Sequence, residues 1–150
     1  MKRLMIVLLS IGCLFACSAE KVKKEELDSS YPQKWQLVKM TGSMINSVTT
    51  GKDMSWQEYY VFNADGTFLK SRETNGQTKE GSGTYSYTTS TNEKYISLTY
   101  KLGTDLIASC YTAQKQEQLI IVSTNKLVGT WNECDGPGLE YELVGQVVID

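Results

Sequence analysis

Polar and apolar side chains alternate along residues 56–72, and this pattern predicts a β-hairpin. One face of its first arm carries Trp56, Glu58, Tyr60 and Phe62. Residues 63–67 fit a three-residue loop in which Gly66 takes the left-handed conformation. The register that this loop imposes pairs Phe62 with Phe68, Tyr60 with Lys70, and Glu58 with Arg72.

The same period of two continues along the chain, and no stretch has a convincing helical period. Evenly spaced short strands are typical of a sandwich or a barrel, and closure favours the barrel because it removes exposed sheet edges. We therefore predict an all-β fold, an antiparallel up-and-down barrel of eight to nine strands. The predicted strands cover 34–41, 56–62, 68–72, 82–88, 95–102, 106–113, 119–123, 127–132 and 139–143.

Two loops of this predicted barrel stand out by their composition. Residues 42–51 form a long loop, rich in Ser, Thr and Gly, that contains Met44, Ile45 and Val48. We expect this loop to fold over a barrel mouth. Residues 73–81 are polar and rich in turn residues, so they are predicted to connect two strands without adding to either.

The first residues have the pattern of an export signal rather than of a folded element. A basic start is followed by an apolar stretch over 4–15, which is short for a membrane span. Residues 14–17, Leu-Phe-Ala-Cys, resemble the lipobox of bacterial lipoproteins. The resemblance implies a signal peptide over 1–16 and a lipid, such as palmitate, on Cys17. The alternative is an ordinary signal peptide with a chance cysteine.

Residues 17–32 read as the lipidated cysteine and a charged, solvated tether, and residues 33–150 as the barrel domain. Ser18, where some bacteria use Asp for inner-membrane retention, favours the outer membrane. In an oxidising compartment the remaining Cys110 and Cys134 are expected to pair. Two free buried thiols are the alternative, because a meander through 106–113, 119–123 and 127–132 keeps its outer strands about 9.5 Å apart.

The order of five segments resembles the small lipocalin-like domains of bacterial lipoproteins. These segments are Trp35 in the first strand, YYVFNADGTF, SGTYSY, YISLTY and WNECDGPGLEY. The resemblance runs from about residue 35 to residue 144. It implies an antiparallel barrel with a cup for a small apolar molecule.

Composition narrows the chemistry that this chain can perform. The chain contains no histidine, so His general bases, Ser-His or Cys-His pairs and His-ligated metals are excluded. No phosphate loop or calcium loop is present, and we expect neither a cofactor nor enzyme activity. Without residues 1–16, which carry two positive charges, the formal net charge falls from −2 to 13 − 17 = −4, which argues against nucleic acid or an acidic membrane surface as a partner. The sequence does not indicate an oligomeric state.

The predicted register points several polar side chains toward the barrel interior. We hypothesise that Lys70 and Arg72 anchor the acidic head of an apolar ligand and that Glu58 holds Arg72 in place. The alternative is a solvated ion pair at the rim. The candidate ligand-binding residues are Glu58, Tyr60, Lys70, Arg72, Tyr85 and Tyr100. For the aromatic residues, the alternative is a packed core.

Two functions fit these expectations. In the first, a lipid-anchored protein of the bacterial cell envelope holds a small hydrophobic molecule inside its barrel. In the second, the barrel is filled by its own side chains, and the protein binds a partner through its loops, as an inhibitor or as an accessory subunit. A continuous apolar cavity favours the first function, whereas a packed interior with an apolar patch on the loops favours the second.

Overall fold

The computed structural model of this chain describes residues 31–110 and 112–146, which form one closed antiparallel β-barrel. The predicted signal peptide, Cys17 and most of the tether lie outside the described residues. The strands are β1 Gln33–Thr41, β2 Val48–Thr50, β3 Gln57–Phe62, β4 Thr67–Thr74, β5 Gln77–Ser90, β6 Glu93–Leu102, β7 Gln116–Ser123, β8 Lys126–Gly129 and β9 Gly138–Gln146. All except β2 belong to the barrel, which closes because β1 pairs with both β3 and β9. The predicted fold class is confirmed.

The hairpin of β3 and β4 has the predicted register. Phe62 lies opposite Phe68, Tyr60 opposite Lys70, and Glu58 opposite Arg72. The loop closes through the Asn63 N–H, which donates to the Thr67 carbonyl oxygen at 2.9 Å. Gly66 has a φ of 81°, which is the left-handed conformation that the loop requires. Local turn chemistry therefore sets which side chains of both strands face the interior.

The up-and-down topology gives the barrel two ends of different construction. The hairpin end carries the loops at 63–66, 91–92 and 124–125. The disulfide end carries the longer connections at 42–56, 103–115 and 130–137, together with the short turn at 75–76. We use these two names below.

The prediction that 73–81 is only a connection is wrong. Strand β4 continues to Thr74, and β5 begins at Gln77 after a two-residue turn at Asn75 and Gly76. Both turn residues have positive φ, 53° and 75°. Residues 73–80 are exposed on both faces, so the strand pair projects from the barrel without the apolar alternation that marks a half-buried strand.

The predicted strand over 106–113 is also wrong. The chain forms 3₁₀ turns at Thr104–Leu106 and Thr112–Gln114 instead. The successive residues Leu106, Ile107 and Ala108 are all buried, with relative exposures of 2%, 6% and 0%. A strand would expose every second side chain, whereas this segment closes the disulfide end as a cap. The predicted strand over 127–132 likewise stops at Gly129, because Trp131–Cys134 forms a 3₁₀ turn.

Cys110 and Cys134 form a disulfide with a Cα–Cα distance of 5.8 Å. A regular strand over 106–113 would have held the two cysteines too far apart for this bond. Since both cysteines lie in the irregular connections at the disulfide end, the spacing of strands does not limit their approach. The bond ties the cap segment to the connection that leads into β9.

The loop at 42–51 differs from its prediction in two respects. Val48–Thr50 forms the short strand β2, which pairs with the last residues of β1. Met44 and Ile45 do not fold over the barrel, because they are 80% and 94% exposed. Met54, which follows a 3₁₀ turn at Gly51–Asp53, is the residue of this connection that enters the core.

Candidate functional site

The disulfide-end half of the barrel interior contains a cluster of charged and tyrosine side chains, which we call the buried charge cluster. Its members are Glu58, Tyr60, Lys70, Arg72, Tyr100, Glu117 and Tyr141. They come from strands β3, β4, β6, β7 and β9. With two carboxylates and two cations, the cluster has no net formal charge, which is the condition under which charges persist in an interior.

Lys70 lies at the centre of the cluster and is fully buried. Its ammonium group donates to the Leu106 carbonyl oxygen at 2.9 Å and to the two carboxylate oxygens of Glu117 at 3.1 and 3.2 Å. The Glu58 Oε1 atom lies 3.3 Å away. These partners match the three protons of an ammonium group, so Lys70 is fully engaged within the protein.

Glu58 of β3 connects side chains of β4 and β9 through its two carboxylate oxygens. Its Oε2 atom accepts from the Arg72 Nε–H, and its Oε1 atom accepts from the Tyr141 hydroxyl at 2.6 Å. The Glu58 side chain is fully buried. The pair of Glu58 and Arg72 is therefore an interior ion pair and not a solvated pair at the rim.

Three tyrosine hydroxyls donate to the two carboxylates. Tyr60 donates to Glu117 at 2.7 Å, Tyr100 also donates to Glu117, and Tyr141 donates to Glu58. Burial raises the pKa of Tyr60 and of Tyr100 well above 10, and the negative charge of Glu117 raises both further. Burial, followed by the charge of Glu58, has the same effect on the pKa of Tyr141. The hydroxyls thus keep their protons and remain donors.

Arg72 is the member of the cluster that reaches the surface, with 14% of its side chain exposed. Its Nη2 atom donates to the Leu106 carbonyl oxygen at 3.3 Å, and its guanidinium carbon lies 4.6 Å from the centre of the Trp56 ring. Burial lowers the pKa of Arg72, but the adjacent Glu58 carboxylate outweighs burial, and the pKa lies above its usual value. Arg72 therefore carries its charge at the boundary between the interior and the disulfide end.

The structure brings together five of the six residues that the sequence proposed as ligand contacts: Glu58, Tyr60, Lys70, Arg72 and Tyr100. Tyr85 lies apart from them, half-buried toward the hairpin end. Its hydroxyl donates to the Asn63 carbonyl oxygen at 2.7 Å, and its ring packs against Phe62 at 4.8 Å. Tyr85 thus belongs to the packing of the hairpin end.

Sequence reasoning missed two members of the cluster. Glu117 lies between the predicted strands over 106–113 and 119–123, but β7 begins at Gln116, so Glu117 faces inward with Leu119. The available signal was local, since Glu117 is two positions before Leu119 and is flanked by the polar residues Gln116 and Gln118. Tyr141 lies in the predicted strand over 139–143, but the sequence does not indicate that its hydroxyl reaches Glu58.

The hairpin-end half of the interior is apolar and tightly packed. Trp35, Phe62, Phe68, Ile96 and Leu127 are at most 2% exposed. Aromatic contacts continue from this half into the cluster, since Phe68 packs edge-on against Tyr100 at 5.0 Å and Tyr60 stacks on Phe62 at 5.8 Å. The described side chains therefore fill the barrel from one end to the other.

The most prominent apolar surface of the disulfide end is the turn over 42–48, which we call the apolar turn. Ile45, Met44 and Val48 are 94%, 80% and 51% exposed. Hydrogen bonds fix its shape, because the Ser47 carbonyl oxygen accepts from the Gly42 N–H at 3.3 Å and the Ser47 hydroxyl donates to the Met44 carbonyl oxygen at 2.5 Å. Exposed apolar side chains on an ordered turn indicate a contact surface.

A groove of about 460 Å³ adjoins the apolar turn. It runs between the start of that turn and the connection that follows the disulfide. Its lining residues are Thr41, Gly42, Ser43, Val128, Asn132, Asp135, Gly136, Gly138, Leu139 and Glu140. A second depression, of about 340 Å³, lies on the polar outer face of β1, β3, β4 and β5.

Residues 31–110 and 112–146 contain no group of three or more His, Cys, Asp or Glu side chains that could hold a metal ion. Within the same residues, no helix has the length and apolar character needed to cross a membrane. The chain matches no protein-family model, no curated protein and no solved structure. Inferences about function therefore depend on the geometry of the barrel and its surface.

Proposed function

We propose that this chain is an interaction protein that binds a partner protein through the apolar turn, and that its filled barrel is a scaffold for this surface. The main support is the combination of a barrel interior occupied by its own side chains with Met44 and Ile45 exposed on an ordered turn. A turn whose backbone is already held by hydrogen bonds loses little backbone entropy when it binds. It therefore suits a protein interface.

The charges around the apolar turn support a protein partner over a lipid surface. The acidic residues Asp135 and Glu140 line the groove beside the turn. The exposed lysines of the disulfide end come from four different elements of the chain, and they are Lys52, Lys79, Lys101 and Lys115. Acidic lipid head groups are attracted by clusters of Lys and Arg, which the described part of this surface does not present. The partner surface that fits is apolar at its centre and basic at its rim.

We further propose that the protein acts in the bacterial cell envelope on a lipid attached to Cys17, as an inhibitor or accessory subunit. The support for this part is the leader sequence. Metabolic labelling with palmitate tests it: the label is expected in the wild-type chain and in Cys13→Ser, and not in Cys17→Ser. Equal labelling of the two variants would contradict the proposal. The resemblance to lipocalin-like lipoproteins stays a prediction.

Site-specific photo-crosslinking in the source cells tests the partner surface. A photoreactive amino acid at Ser43, next to the apolar turn, is expected to give a discrete adduct with one protein. The adduct is lost in Ile45→Asp and kept in Val122→Asp, which changes another exposed apolar side chain, 56% exposed, in β7. No adduct, or equal loss in both variants, would refute the proposed surface.

The identified partner then allows a direct measurement. Ile45→Asp is expected to raise the Kd at least tenfold, because it places a charge in the apolar centre of the interface, while Val122→Asp changes the Kd less than twofold. Raising the salt concentration is expected to weaken binding, since the acidic residues Asp135 and Glu140 line the groove beside the turn. Binding that is insensitive to both changes would remove the apolar turn from the interface.

Carriage of a small apolar molecule has less support than binding of a partner protein. Lys70, Tyr60 and Tyr100 occupy the disulfide-end half of the barrel interior, and their polar atoms bond to Glu117. An apolar ligand inside the barrel would have to displace these side chains and break an ion pair. This cost favours the interaction protein.

A further inference from the structure

The indole N–H of Trp56 is the one buried side-chain polar atom among residues 31–110 and 112–146 that lacks a hydrogen-bond partner. Trp35 is different, since its indole N–H donates to Gln33 at 3.2 Å. A buried donor without an acceptor is costly, and buried polar groups in folded proteins are almost always paired. The unpaired Trp56 donor therefore marks a place where an acceptor atom binds.

Arg72 supplies positive charge and further donors beside this N–H. Its guanidinium carbon lies 4.6 Å from the Trp56 ring centre. Within the described residues, its Nε–H bonds to Glu58 and one Nη2–H bonds to Leu106. A guanidinium has five N–H groups, so Arg72 retains donor capacity at the disulfide end.

We propose that Trp56 and Arg72 form a binding site for a carboxylate group at the disulfide end. A carboxylate matches the site because its two oxygens can accept from the guanidinium and the indole N–H together. Its binding does not strip Glu58 of partners, because Glu58 also accepts from Tyr141 and lies 3.3 Å from the Lys70 ammonium group. Lys70 itself is fully buried and stays part of the scaffold.

The carboxylate can come from a free small acid or from the C-terminus of a protein chain. Both sources present the same group, and the site lies at the same end of the barrel as the apolar turn. The proposal does not depend on the partner proposed above, because a small acid can test the site alone. If the apolar turn proves not to be an interface, the carboxylate site still stands. If no carboxylate binds, the apolar turn can still be an interface.

Titration of the ¹⁵N-labelled full-length protein with sodium acetate, followed through the indole N–H signals, tests the site. Acetate is expected to shift the Trp56 signal saturably and to leave the Trp35 signal in place. Sodium chloride at equal ionic strength is the control and should not shift Trp56. The proposal is overturned if the Trp56 signal responds equally to acetate and chloride. It is also overturned if the signal responds neither to acetate nor to a short peptide with a free C-terminus, since the donor is then paired with water only.

A short peptide with a free C-terminus, compared with its C-terminal amide, distinguishes the two sources. Binding of the acid peptide at least tenfold tighter than acetate, with no response to the amide, assigns the site to a chain terminus. Equal affinities for acetate and the acid peptide assign it to free small acids. A response to the amide equal to that of the acid peptide overturns the carboxylate assignment.

Conservative variants locate the binding contacts. Trp56→Phe keeps an aromatic ring beside the guanidinium but removes the N–H donor together with part of the ring volume, so the affinity, read from the Arg72 Nε–H signal, should fall at least fivefold. Trp131→Phe, a half-buried tryptophan elsewhere at the disulfide end, is the matched control and should change the affinity less than twofold. Equal effects of the two variants would contradict the role of Trp56.

Discussion

Near the hairpin end of the barrel Phe62 faces Phe68 across β3 and β4, whereas toward the disulfide end Glu58 faces Arg72 across the same two strands. All four side chains alternate with outward-facing residues, and the same register sets their direction. The two halves of the interior thus share a backbone geometry and differ in what holds them together. The first depends on packing, and the second on hydrogen bonds between charges.

The two halves should respond differently to substitution. A packed apolar core tolerates changes that conserve volume, because its contacts are many and individually weak. A buried ion network acts as a unit, because removing one member leaves the others charged, buried and unpaired. The buried charge cluster is therefore expected to be the more sensitive half.

Removal of the central cation is expected to have the largest effect. Lys70→Met keeps the length of the side chain but leaves Glu58 and Glu117 without their shared ammonium group. We expect a loss of about 3–5 kcal/mol in the free energy of unfolding, measured by urea titration.

The apolar half supplies the control for this variant. Ile96→Leu changes a fully buried side chain without a charge and should lower the free energy of unfolding by less than about 1.5 kcal/mol. Adding Glu117→Gln to Lys70→Met should recover part of the loss, because it removes one of the two stranded carboxylates. Equal losses for Lys70→Met and Ile96→Leu would remove the distinction between the halves.

Reduction of the Cys110–Cys134 bond is expected to have the next largest effect. The bond spans a sequence separation of 24 and ties the cap, whose Leu106 carbonyl oxygen accepts from Lys70. Loss of the bond should lower the free energy of unfolding by about 3 kcal/mol. It should also speed amide hydrogen exchange in the cap, but not at Asn63 in the hairpin end. Faster exchange at both ends alike would show that the bond supports the whole barrel equally.

Alkaline pH should weaken the polar half selectively. The pKa values of Tyr60, Tyr100 and Tyr141 are raised above 10.0 in the folded protein, so above pH 10 the unfolded state binds fewer protons than the folded state. Their contribution to stability is complete below pH 10 and declines as pH rises beyond it.

Each of these tyrosines should contribute about 1.4 kcal/mol per pH unit to that decline. Tyr100→Phe is expected to reduce the slope of unfolding free energy against pH above 10 by this amount. Ile96→Leu, which alters a buried side chain without a titratable group, is the control and should leave the slope unchanged. A slope that Tyr100→Phe does not alter would mean that its hydroxyl titrates normally.

The smallest effect on stability is expected at the apolar turn. Ile45→Ser should change the free energy of unfolding by less than about 0.5 kcal/mol, because Ile45 is 94% exposed and supports no core contact. Thermal unfolding measures this directly. A loss of about 2 kcal/mol or more would indicate that the turn belongs to the fold and not to an interface.

The sequence predicted the hairpin of β3 and β4 correctly because its signals are local. Alternation placed Glu58, Tyr60 and Phe62 on one face, and Gly66 fixed the register through its loop. The cap at 103–115 could not be predicted in this way. Its run of Leu106, Ile107 and Ala108 is buried by its position over the barrel end, and an apolar run of this length also fits a strand.

The cluster was predictable only in part, for a related reason. Alternation pointed Lys70 and Arg72 inward, but Glu117, the partner of Lys70, lies in a strand that begins directly after the cap with the polar residues 116–118. The bond from Tyr141 to Glu58 joins residues 83 positions apart. Which strands meet across the interior depends on closure of the barrel, and alternation along a single strand carries no information about it.

Native mass spectrometry of the full-length protein, purified from its source cells, tests most directly the claim that the barrel is filled by its own side chains. The account predicts that the native spectrum shows the polypeptide with its covalent modifications and no co-purifying apolar molecule. The denatured protein should have the same mass. A stoichiometric apolar molecule that is present in the native spectrum and lost on denaturation would contradict the claim.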